Sequence, residues 1–345
     1  MQAFQITTII TTYKRPHLLR KAVESVLAQT YPHFQLLILD DASKDGTKEI
    51  AQAFKRKDPR VKYIEHKENL EMIHNYAYGF SQIHTPYFHF LSDDDTILPN
   101  FYNEAMETFT KYPEIGCYAG AATILLGEKK MIGSPNDYWA RDGYWEKKEA
   151  ALEMVGKFPV PSTVVFATSV LNHVSPDYTN PGFWDCDFLI QIALRYPIYL
   201  SKNPAGFFLS HNGSFSKKLP YFLIKQGHLN ILNRIPNEDE DNKLLKDKLH
   251  NFFRFIYRKC FIDSLVLKKW DEAGKCLQDL KNHHFNCFLE QMCYLSIKKA
   301  PFLIKVLPMI RITRRAIKKW LGLLSIKKLS SMPKKKGLFR SSLCR

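Results

Sequence analysis

The sequence predicts an α/β protein with a mostly parallel sheet and helices on the faces of that sheet. Short apolar segments alternate with segments of helical periodicity over the first 123 residues. Residues 34–39 are apolar except for Gln35, as expected for a strand buried on both faces. Strand and helix patterns in alternation indicate βαβ units, which build parallel sheets.

The predicted elements follow one another in a regular order. The first helix is expected to begin at Pro16, because proline suits the first turn of a helix. Residues 125–180 are rich in Pro, Gly, Tyr and Trp, which predicts long loops with short elements. The strands are predicted at 6–11, 34–39, 61–64, 87–91, 116–123 and 204–209. The helices are predicted at 16–29, 48–57, 72–82, 99–111, 183–196, 221–232, 242–267, 270–282 and 286–299.

Composition limits the class of protein. The chain is 45% hydrophobic and 13% aromatic, which excludes a disordered protein. Its 7 cysteines are scattered and form no CxxC pair, which argues against a disulfide framework or a zinc ribbon and favours a reducing cytosol. We find no secretory signal pattern and no uncharged apolar run near the roughly 18–20 residues of a membrane-spanning helix. We therefore expect a cytoplasmic protein.

Two acidic clusters carry the first functional signal. Asp40 and Asp41 follow one predicted strand, and Asp93, Asp94 and Asp95 follow another. Ligands of parallel sheets bind beyond the carboxyl ends of the strands. Mg²⁺ and Mn²⁺ prefer oxygen ligands and often share their coordination with a substrate phosphate. A solvated acidic turn is the alternative for each cluster alone, and their shared position favours a metal and phosphate site.

Three motifs extend this signal. They are residues 9–16 (IITTYKRP), residues 39–47 (LDDASKDGT) and residues 90–99 (FLSDDDTILP). Their order and spacing resemble those of family 2 glycosyltransferases, which usually have glycine where this chain has Ala42. The resemblance covers residues 5–122 and, less fully, 180–216. It implies a GT-A fold with a Rossmann-like sheet, and an inverting transfer of a sugar from a nucleotide-sugar donor, most often a UDP-sugar, with Mg²⁺ or Mn²⁺.

The resemblance also implies contacts with the nucleotide. Thr11, Tyr13 and Arg15 would border the nucleobase. Asp41 would accept a hydrogen bond from the imide N–H of uracil, a task that suits a charged acceptor. Asn75 follows a segment that departs from the family pattern, and it is a further candidate for a nucleotide contact.

A second group of residues is expected at the diphosphate. By the same resemblance Asp94 would bind the metal that bridges the diphosphate, with Asp95 beside it, and Asp93 would meet the ribose or the donor sugar. His211 resembles a family histidine that completes the metal shell or contacts the leaving diphosphate. Neutral imidazole can bind Mn²⁺, and imidazolium can stabilise phosphate.

The acceptor hydroxyl needs a base that removes its proton as the new bond forms. Relatives supply this base from a Glu-Asp pair at the start of a helix, and this chain has Trp184, Asp185, Cys186 and Asp187 there. Asp185 therefore aligns with the expected base, and Asp187 is the second candidate. A helix cap is the alternative role of Asp185.

The basic charge is concentrated at one end of the chain. Residues 301–345 contain 13 Lys and Arg and no Asp or Glu, out of a net charge of +16. Helical spacing places apolar residues on one face of this segment and basic residues on another, which suits an anionic membrane surface or packing on the body of the protein. Nucleic acid also attracts positive charge, but the apolar face favours lipid, and we expect no nucleic-acid partner. The apolar face comprises Ile310, Ile317, Trp320, Leu321 and Leu324.

These observations predict three parts of the chain. Residues 1–216 would form the glycosyltransferase domain, with a nucleotide-binding half (1–122) and an acceptor-binding half (123–216). Residues 217–300 would form a helical extension, and residues 301–345 a basic amphipathic tail that holds the protein at the inner face of a bacterial plasma membrane.

The resulting hypothesis is a hexosyl- or N-acetylhexosaminyl-transferase of cell-surface glycan synthesis. Its acceptor would be a polysaccharide or a lipid-linked oligosaccharide. A sugar-phosphate nucleotidyltransferase is the first alternative, but it would be expected to carry a Gly-rich loop after the first strand, and residues 12–16 contain no glycine. A non-catalytic protein that binds membranes or nucleic acid would explain the tail but not the two acidic clusters.

Overall fold

The structure is a computed structural model. It describes residues 4–127, 130–132, 139–179, 182–211, 213–214 and 219–282, with 291 and 294. The chain divides into two compact units, Met1–Phe253 and Arg254–Arg345. The division predicted between residues 216 and 217 concerns function rather than compactness, and it stays a prediction.

Ten strands belong to one sheet, and nine α-helices are present among the described residues. The strands are β1 (Ile6–Thr12), β2 (Phe34–Asp40), β3 (Val61–Glu65), β4 (Tyr87–Ser92), β5 (Thr96–Ile97), β6 (Cys117–Leu126), β7 (Lys130–Ile132), β8 (Gly143–Trp145), β9 (Val164–Ala167) and β10 (Ile198–Ser210). The helices are α1 (Pro16–Leu27), α2 (Thr47–Lys57), α3 (Glu71–Ser81), α4 (Phe101–Lys111), α5 (Glu149–Met154), α6 (Trp184–Arg195), α7 (Tyr221–Arg234), α8 (Glu240–Val266) and α9 (Trp270–Asn282).

The sheet has the order β3-β2-β1-β4-β9-β6-β10-β5, with β7 beside β6 and β8 beside β10. Strands β3, β2, β1 and β4 are parallel, and so are β6 and β10. This confirms the predicted α/β class with a helical C-terminal region. Strand β9 runs antiparallel between β4 and β6, although it lies in the segment predicted to be mostly loops. Its four residues are all buried, so they show no alternating pattern that would reveal a strand.

Register aligns the carboxyl ends of the central strands. All seven residues of β1 are buried, as expected for a strand covered on both faces. Thr12 of β1 is opposite Asp40 of β2, and Thr11 is opposite Ser92 of β4. The loops that follow these three strands therefore leave the sheet side by side.

A buried polar network connects β4 to its neighbours. His89 is fully buried, and its two ring nitrogens lie 2.9 Å from the Tyr102 hydroxyl and 3.0 Å from the Ser162 carbonyl oxygen. The Tyr102 hydroxyl also lies 2.6 Å from the Thr8 hydroxyl. A carbonyl can only accept, so Nε2 of His89 donates to Ser162, and the neutral ring then accepts from Tyr102 at Nδ1. Burial lowers the pKa of His89 to about 4.

The C-terminal part of the described chain is helical. Helix α8 begins in the first unit and ends in the second. Helix α9 has the predicted bounds and buries Ala273, Cys276, Leu277 and Leu280. Among the described residues, no helix has the length and hydrophobicity that a membrane crossing requires. The helix predicted at 286–299 and the basic tail at 301–345 lie outside the described residues, 291 and 294 excepted.

The buried neutral state of His89 predicts a loss of stability in mild acid. The pKa of His89 is about 4 in the folded protein, against an ordinary value of 6.5. Between these two pH values His89 is therefore protonated in the unfolded chain and neutral in the folded chain. The free energy of unfolding should therefore fall between about pH 6.5 and pH 4, by up to about 3 kcal/mol from this residue. Urea unfolding at several pH values should show that the free energy of unfolding falls less steeply with decreasing pH in His89→Gln than in wild type. The exposed His17→Gln serves as the control, and equal slopes for all three proteins would contradict the prediction.

Candidate active site

The two acidic clusters lie at the same edge of the sheet. Asp40 and Asp41 stand at the end of β2, and Asp93 follows β4. Strand β1 lies between β2 and β4 and is parallel to both. The loop after β1 thus passes between the clusters, where it can contact a ligand that reaches both.

Asp93 is held by the loop after β1. It is 4% exposed, and it accepts hydrogen bonds from the Thr12 hydroxyl at 2.8 Å and from Nη1 of Arg15 at 3.0 Å. Burial raises the pKa of Asp93 to about 6, although the Arg15 charge opposes this shift. Both carboxylate oxygens therefore have partners within the protein.

Arg15 lies at the carboxylate cluster. Its Nη1 is 3.4 Å from Oδ2 of Asp94, and its Nη2 donates to the Gly213 carbonyl oxygen at 3.3 Å. Together with the contact to Asp93, these contacts make Arg15 the counter-ion of the acidic loop of residues 93–95. The expectation that Arg15 borders the nucleobase stays a prediction, and in this structure its guanidinium contacts the acidic turn after β4.

Asp94 meets His211 across the site. Nε2 of His211 lies 3.0 Å from Oδ2 of Asp94, and the side chains remain partly exposed, at 26% and 11% respectively. The Gly213 backbone N–H donates to Nδ1 of His211 at 3.1 Å. Since Nδ1 accepts, Nε2 carries the proton that bonds to Asp94. The structure thus brings together the two residues that were predicted to share a metal.

Asp95 has a different environment from Asp94. It is 1% exposed, and its oxygens accept from the Ser162 hydroxyl at 2.5 Å and from the Leu209 backbone N–H at 2.9 Å. Burial raises the pKa of Asp95 to about 7. The expected role of Asp95 beside the metal stays a prediction, and in this structure both of its oxygens accept hydrogen bonds from within the protein.

The other acidic cluster lies beside the end of β1 and the residues that follow it. Asp41 is 3% exposed and accepts the Leu70 backbone N–H at 2.7 Å, and burial raises the pKa of its carboxyl. Tyr13 presents a 40% exposed ring to solvent, with the Lys14 ammonium 4.9 Å from the ring centroid. Thr11 lies at the end of β1 and is 8% exposed.

Ala42 has a left-handed backbone with φ of 58°. This conformation costs a residue with a Cβ atom roughly 1–2 kcal/mol. The cost explains why related sequences are expected to place glycine at this position.

Asn75 is turned into the protein. It is 1% exposed, its amide nitrogen donates to the Leu39 carbonyl at 3.2 Å, and its amide oxygen lies 3.1 Å from Nε2 of His66. These bonds tie α3 to the ends of β2 and β3. The expected contact of Asn75 with a nucleotide stays a prediction, and these bonds give the residue a structural role.

Aromatic packing places Asp185 at the start of α6. Trp184 is 5% exposed, and its ring centroid lies 5.2 Å from each of those of Tyr76 and Phe90. Tryptophan at this position therefore anchors the helix on α3 and β4. Asp185 follows in the first turn, partly buried, and accepts the Cys186 backbone N–H at 2.8 Å. Burial raises the pKa of the Asp185 carboxyl, which makes the ionised form a stronger base.

Asp187 is a structural residue. It is fully buried and forms an ion pair with Arg234 of α7. Burial raises its pKa to about 6, against the opposing effect of Arg234. Asp187 stays the second candidate for the base, and its burial and its ion pair with Arg234 favour a structural role instead.

Sequence reasoning missed three residues that shape the site. Thr12 lies inside the first motif, and its contact with Asp93 could have been inferred from the parallel neighbouring strands. Tyr76 is buried, with burial raising its pKa to about 12, and its hydroxyl interacts with Thr11 and Ser92. Ser162 lies in a segment without a motif, so no signal in the sequence pointed to it.

The donor set fits a cation that is shared with a substrate. Among the described residues, no group of three His, Cys, Asp or Glu side chains is arranged to hold a metal by itself. Asp94 offers a carboxylate, and His211 beside it offers an imidazole whose Nε2 would exchange the proton it shares with Asp94 for the cation. Mg²⁺ and Mn²⁺ are commonly bound by one or two protein ligands together with substrate phosphates. Two protein ligands are therefore sufficient when a diphosphate supplies the others.

Comparison with known sequences identifies similar proteins. The family model described as glycosyl transferase family 2 matches residues 7–173. An uncharacterized glycosyltransferase of Rickettsia conorii is 36% identical over 110 residues, which are 32% of this chain and 17% of that protein. A GalNAc(5)-diNAcBac-PP-undecaprenol beta-1,3-glucosyltransferase of Campylobacter jejuni is 29% identical over 104 residues, 30% of this chain and 34% of that protein. The chain thus spans about a third or less of the length of these two relatives.

Solved structures show the same fold. Residues 1–349 of TarS from S. aureus, in complex with UDP-GlcNAc, superpose with a TM-score of 0.65 and 17% identity, covering 81% of each chain. The mannosyltransferase PcManGT from Pyrobaculum calidifontis, in complex with GDP-Man and Mn²⁺, superposes with a TM-score of 0.51 and 13% identity, covering 88% of this chain and 81% of that one. These likenesses confirm the predicted GT-A fold.

The contacts of Arg15 predict that this residue stabilises the folded protein when no metal is bound. Arg15→Gln would leave Asp93 and Asp94 close together without their guanidinium partner. The free energy of unfolding should fall by about 1–3 kcal/mol in the presence of EDTA. Urea unfolding measures this change, and Arg56→Gln, at an exposed position of α2, should stay within about 0.5 kcal/mol of wild type. Equal losses in the two variants would contradict the assignment.

Proposed function

We propose, since residues 7–173 match the family model described as glycosyl transferase family 2, that the protein transfers a sugar from a nucleotide-sugar donor to a hydroxyl of a glycan acceptor. One observation carries the proposal. The Asp94–His211 pair lies at the same edge of the sheet as Asp41. A diphosphate at the first and a nucleobase at the second would fit one nucleotide sugar laid across β1.

The proposed donor is a UDP-sugar. Asp41 offers a buried carboxylate acceptor, which suits the imide N–H of uracil. Tyr13 offers an exposed ring beside it, and aromatic rings stack on bases. The complex of TarS with UDP-GlcNAc supports this choice, and a hexose or an N-acetylhexosamine is the proposed sugar.

The proposed diphosphate site uses Asp94, His211 and Arg15. Bound Mg²⁺ or Mn²⁺ would neutralise the charge that develops on the leaving diphosphate. Asp94 and His211 would hold the cation, and Asp93 would orient the loop and meet the ribose or donor sugar. Arg15 contacts both Asp93 and Asp94, so its guanidinium is placed to bind phosphate oxygens that approach the same carboxylates. The complex of PcManGT with Mn²⁺ supports a metal-dependent reaction.

Asp185 is the proposed base. The acceptor oxygen would attack the anomeric carbon as the bond from that carbon to the diphosphate oxygen breaks, and Asp185 would take the hydroxyl proton. A single displacement of this kind inverts the anomeric configuration. The first turn of α6 favours the ionised carboxylate through the helix dipole.

The proposed acceptor is a growing polysaccharide or a lipid-linked oligosaccharide of the cell surface. The Campylobacter relative, whose name specifies an undecaprenol-linked acceptor, supports the lipid-linked form. The 13 basic residues and the apolar face of 301–345 support binding to an anionic membrane. We accordingly propose a cytoplasmic protein at the inner face of a bacterial plasma membrane.

Release of nucleotide from a donor panel tests the proposed function. Purified protein is incubated with UDP-, GDP- and dTDP-sugars, with Mn²⁺, Mg²⁺ or EDTA, and the released nucleoside diphosphate is measured. We expect release from at least one UDP-sugar with metal and a loss of about ten-fold or more in EDTA. Asp94→Asn should show the same loss with metal present. Turnover that is unchanged in EDTA and in Asp94→Asn would contradict the metal-dependent mechanism.

Two aspartates in one helix separate the base from the structural ion pair. Asp185→Asn should lower kcat by about 10²–10⁴-fold with little change in the donor KM, because it removes the proton acceptor. Asp187→Asn is the matched control, and it should lower the melting temperature by weakening the pair with Arg234 while the folded enzyme keeps its kcat. Steady-state kinetics and thermal unfolding of both variants decide this assignment. The reverse pattern would identify Asp187 as the base.

A further inference from the structure

Ser162 contacts strand β4 and the acidic loop of residues 93–95 that follows it. It lies in the short 3₁₀ turn Pro161–Thr163 and is 3% exposed. Its hydroxyl donates to Oδ2 of Asp95 at 2.5 Å and accepts the Ser92 N–H at 3.3 Å. Its carbonyl accepts from His89 at 3.0 Å. Ser162 is therefore fixed against β4 on one side and holds Asp95 on the other.

Asp95 carries this connection on to β10. Its second oxygen accepts the Leu209 backbone N–H at 2.9 Å. Asp94 precedes Asp95 in the chain, and His211 lies two residues beyond Leu209. The contact between Asp95 and Leu209 thus lies immediately behind the 3.0 Å contact between Asp94 and His211.

The two chain segments also pair by their backbones at this point. Strand β5 is antiparallel to β10, with Ile97 opposite Gly206 and Thr96 opposite Phe207. A Cβ atom at Gly206 would lie 2.4 Å from the Thr96 carbonyl oxygen, a distance that no side chain tolerates. The glycine therefore permits a close approach of β10 to the segment after Asp95.

A carboxylate suits this position because both of its partners donate. The Ser162 hydroxyl and the Leu209 N–H each need an acceptor, and an ionised Asp offers two oxygens that accept. An Asn side chain would offer one accepting oxygen and one amide donor. The two hydrogen bonds that Asp95 accepts from Ser162 and Leu209 form what we call the Asp95 clamp.

We propose that Asp95 and Ser162 are positioning residues whose clamp sets the spacing of Asp94 and His211, and thereby determines how much a divalent cation strengthens nucleotide binding. The inference rests on the proposed function, since it assigns the clamp to the diphosphate end of the donor site. Replacing a residue that orients a metal ligand typically lowers metal affinity or activity by about 10–100-fold.

Calorimetric titration with UDP tests the proposal. The dissociation constant is measured for the full chain with Mn²⁺ and with EDTA, and the ratio of the two values is the metal-dependent gain. Ser162→Ala and Asp95→Asn should each reduce this gain by about ten-fold, while the constant in EDTA changes less than about two-fold. The double variant should lose little more than either single one, because both changes break the same clamp.

Controls distinguish positioning from general damage. Ser81→Ala and Asp247→Asn make the same chemical changes at exposed positions and should keep the wild-type gain. A loss of affinity that is equal with Mn²⁺ and with EDTA would indicate general damage and overturn the proposal. Wild-type gain in both clamp variants would overturn it as well.

Amide exchange tests the clamp without any nucleotide. The Leu209 N–H should exchange about ten-fold faster in Ser162→Ala than in wild type, because the acceptor Asp95 loses the bond that orients it. Unchanged exchange at Leu209 would overturn the clamp itself. Wild-type protein that binds no UDP would overturn the proposed UDP donor, and exchange at Leu209 would still decide whether Ser162 and Asp95 position β10.

Discussion

Three adjacent carboxylates can stand at the end of a buried strand only when each has its own donors. Asp93 is bound by Thr12 and Arg15, Asp94 by His211 and Arg15, and Asp95 by Ser162 and Leu209. These donors come from the end of β1 and the loop after it, from the turn before β9, and from the end of β10 and the residue that follows it. The negative charge of residues 93–95 thus requires that segments distant in the sequence pack against this one loop.

This requirement also divides the three residues by function. Asp93 and Asp95 are 4% and 1% exposed, and burial raises the pKa of both carboxyls. Asp94 is the one of the three that remains open to a ligand, with an 11% exposed side chain facing His211. Asp94 is therefore the candidate metal ligand, and Asp93 and Asp95 on either side of it organise the loop. The three residues differ because each has different neighbours.

Departures from the family pattern are explained by packing. Trp184 takes the place where relatives are expected to carry glutamate, and it fills an aromatic cluster with Tyr76 and Phe90. The tryptophan anchors the start of α6 and thereby places the adjacent Asp185, the proposed base. Ala42 stands in a left-handed conformation, at a backbone cost that glycine would avoid.

Much of this protein could be predicted from its sequence. Apolar periodicity located six of the ten strands and eight of the nine α-helices among the described residues, because burial on one or both faces leaves a periodic trace. Strand β10 begins six residues before its predicted start. Acidic clusters after two parallel strands placed the site, because parallel strands end at a common edge. Strand β9 lay outside this reasoning, since four buried residues carry no period.

Only the tertiary structure decided which partner each side chain has. Arg15 follows the first strand in sequence, yet its guanidinium binds carboxylates about 78 positions away. Asp187 and Asp185 have the same chemistry and lie in the same turn, but Arg234 of another helix claims only one of them. Asn75 and Asp95 turn into the protein for the same reason. Local pattern determines the element and the edge, whereas the role of a polar side chain depends on donors that distant segments bring to it.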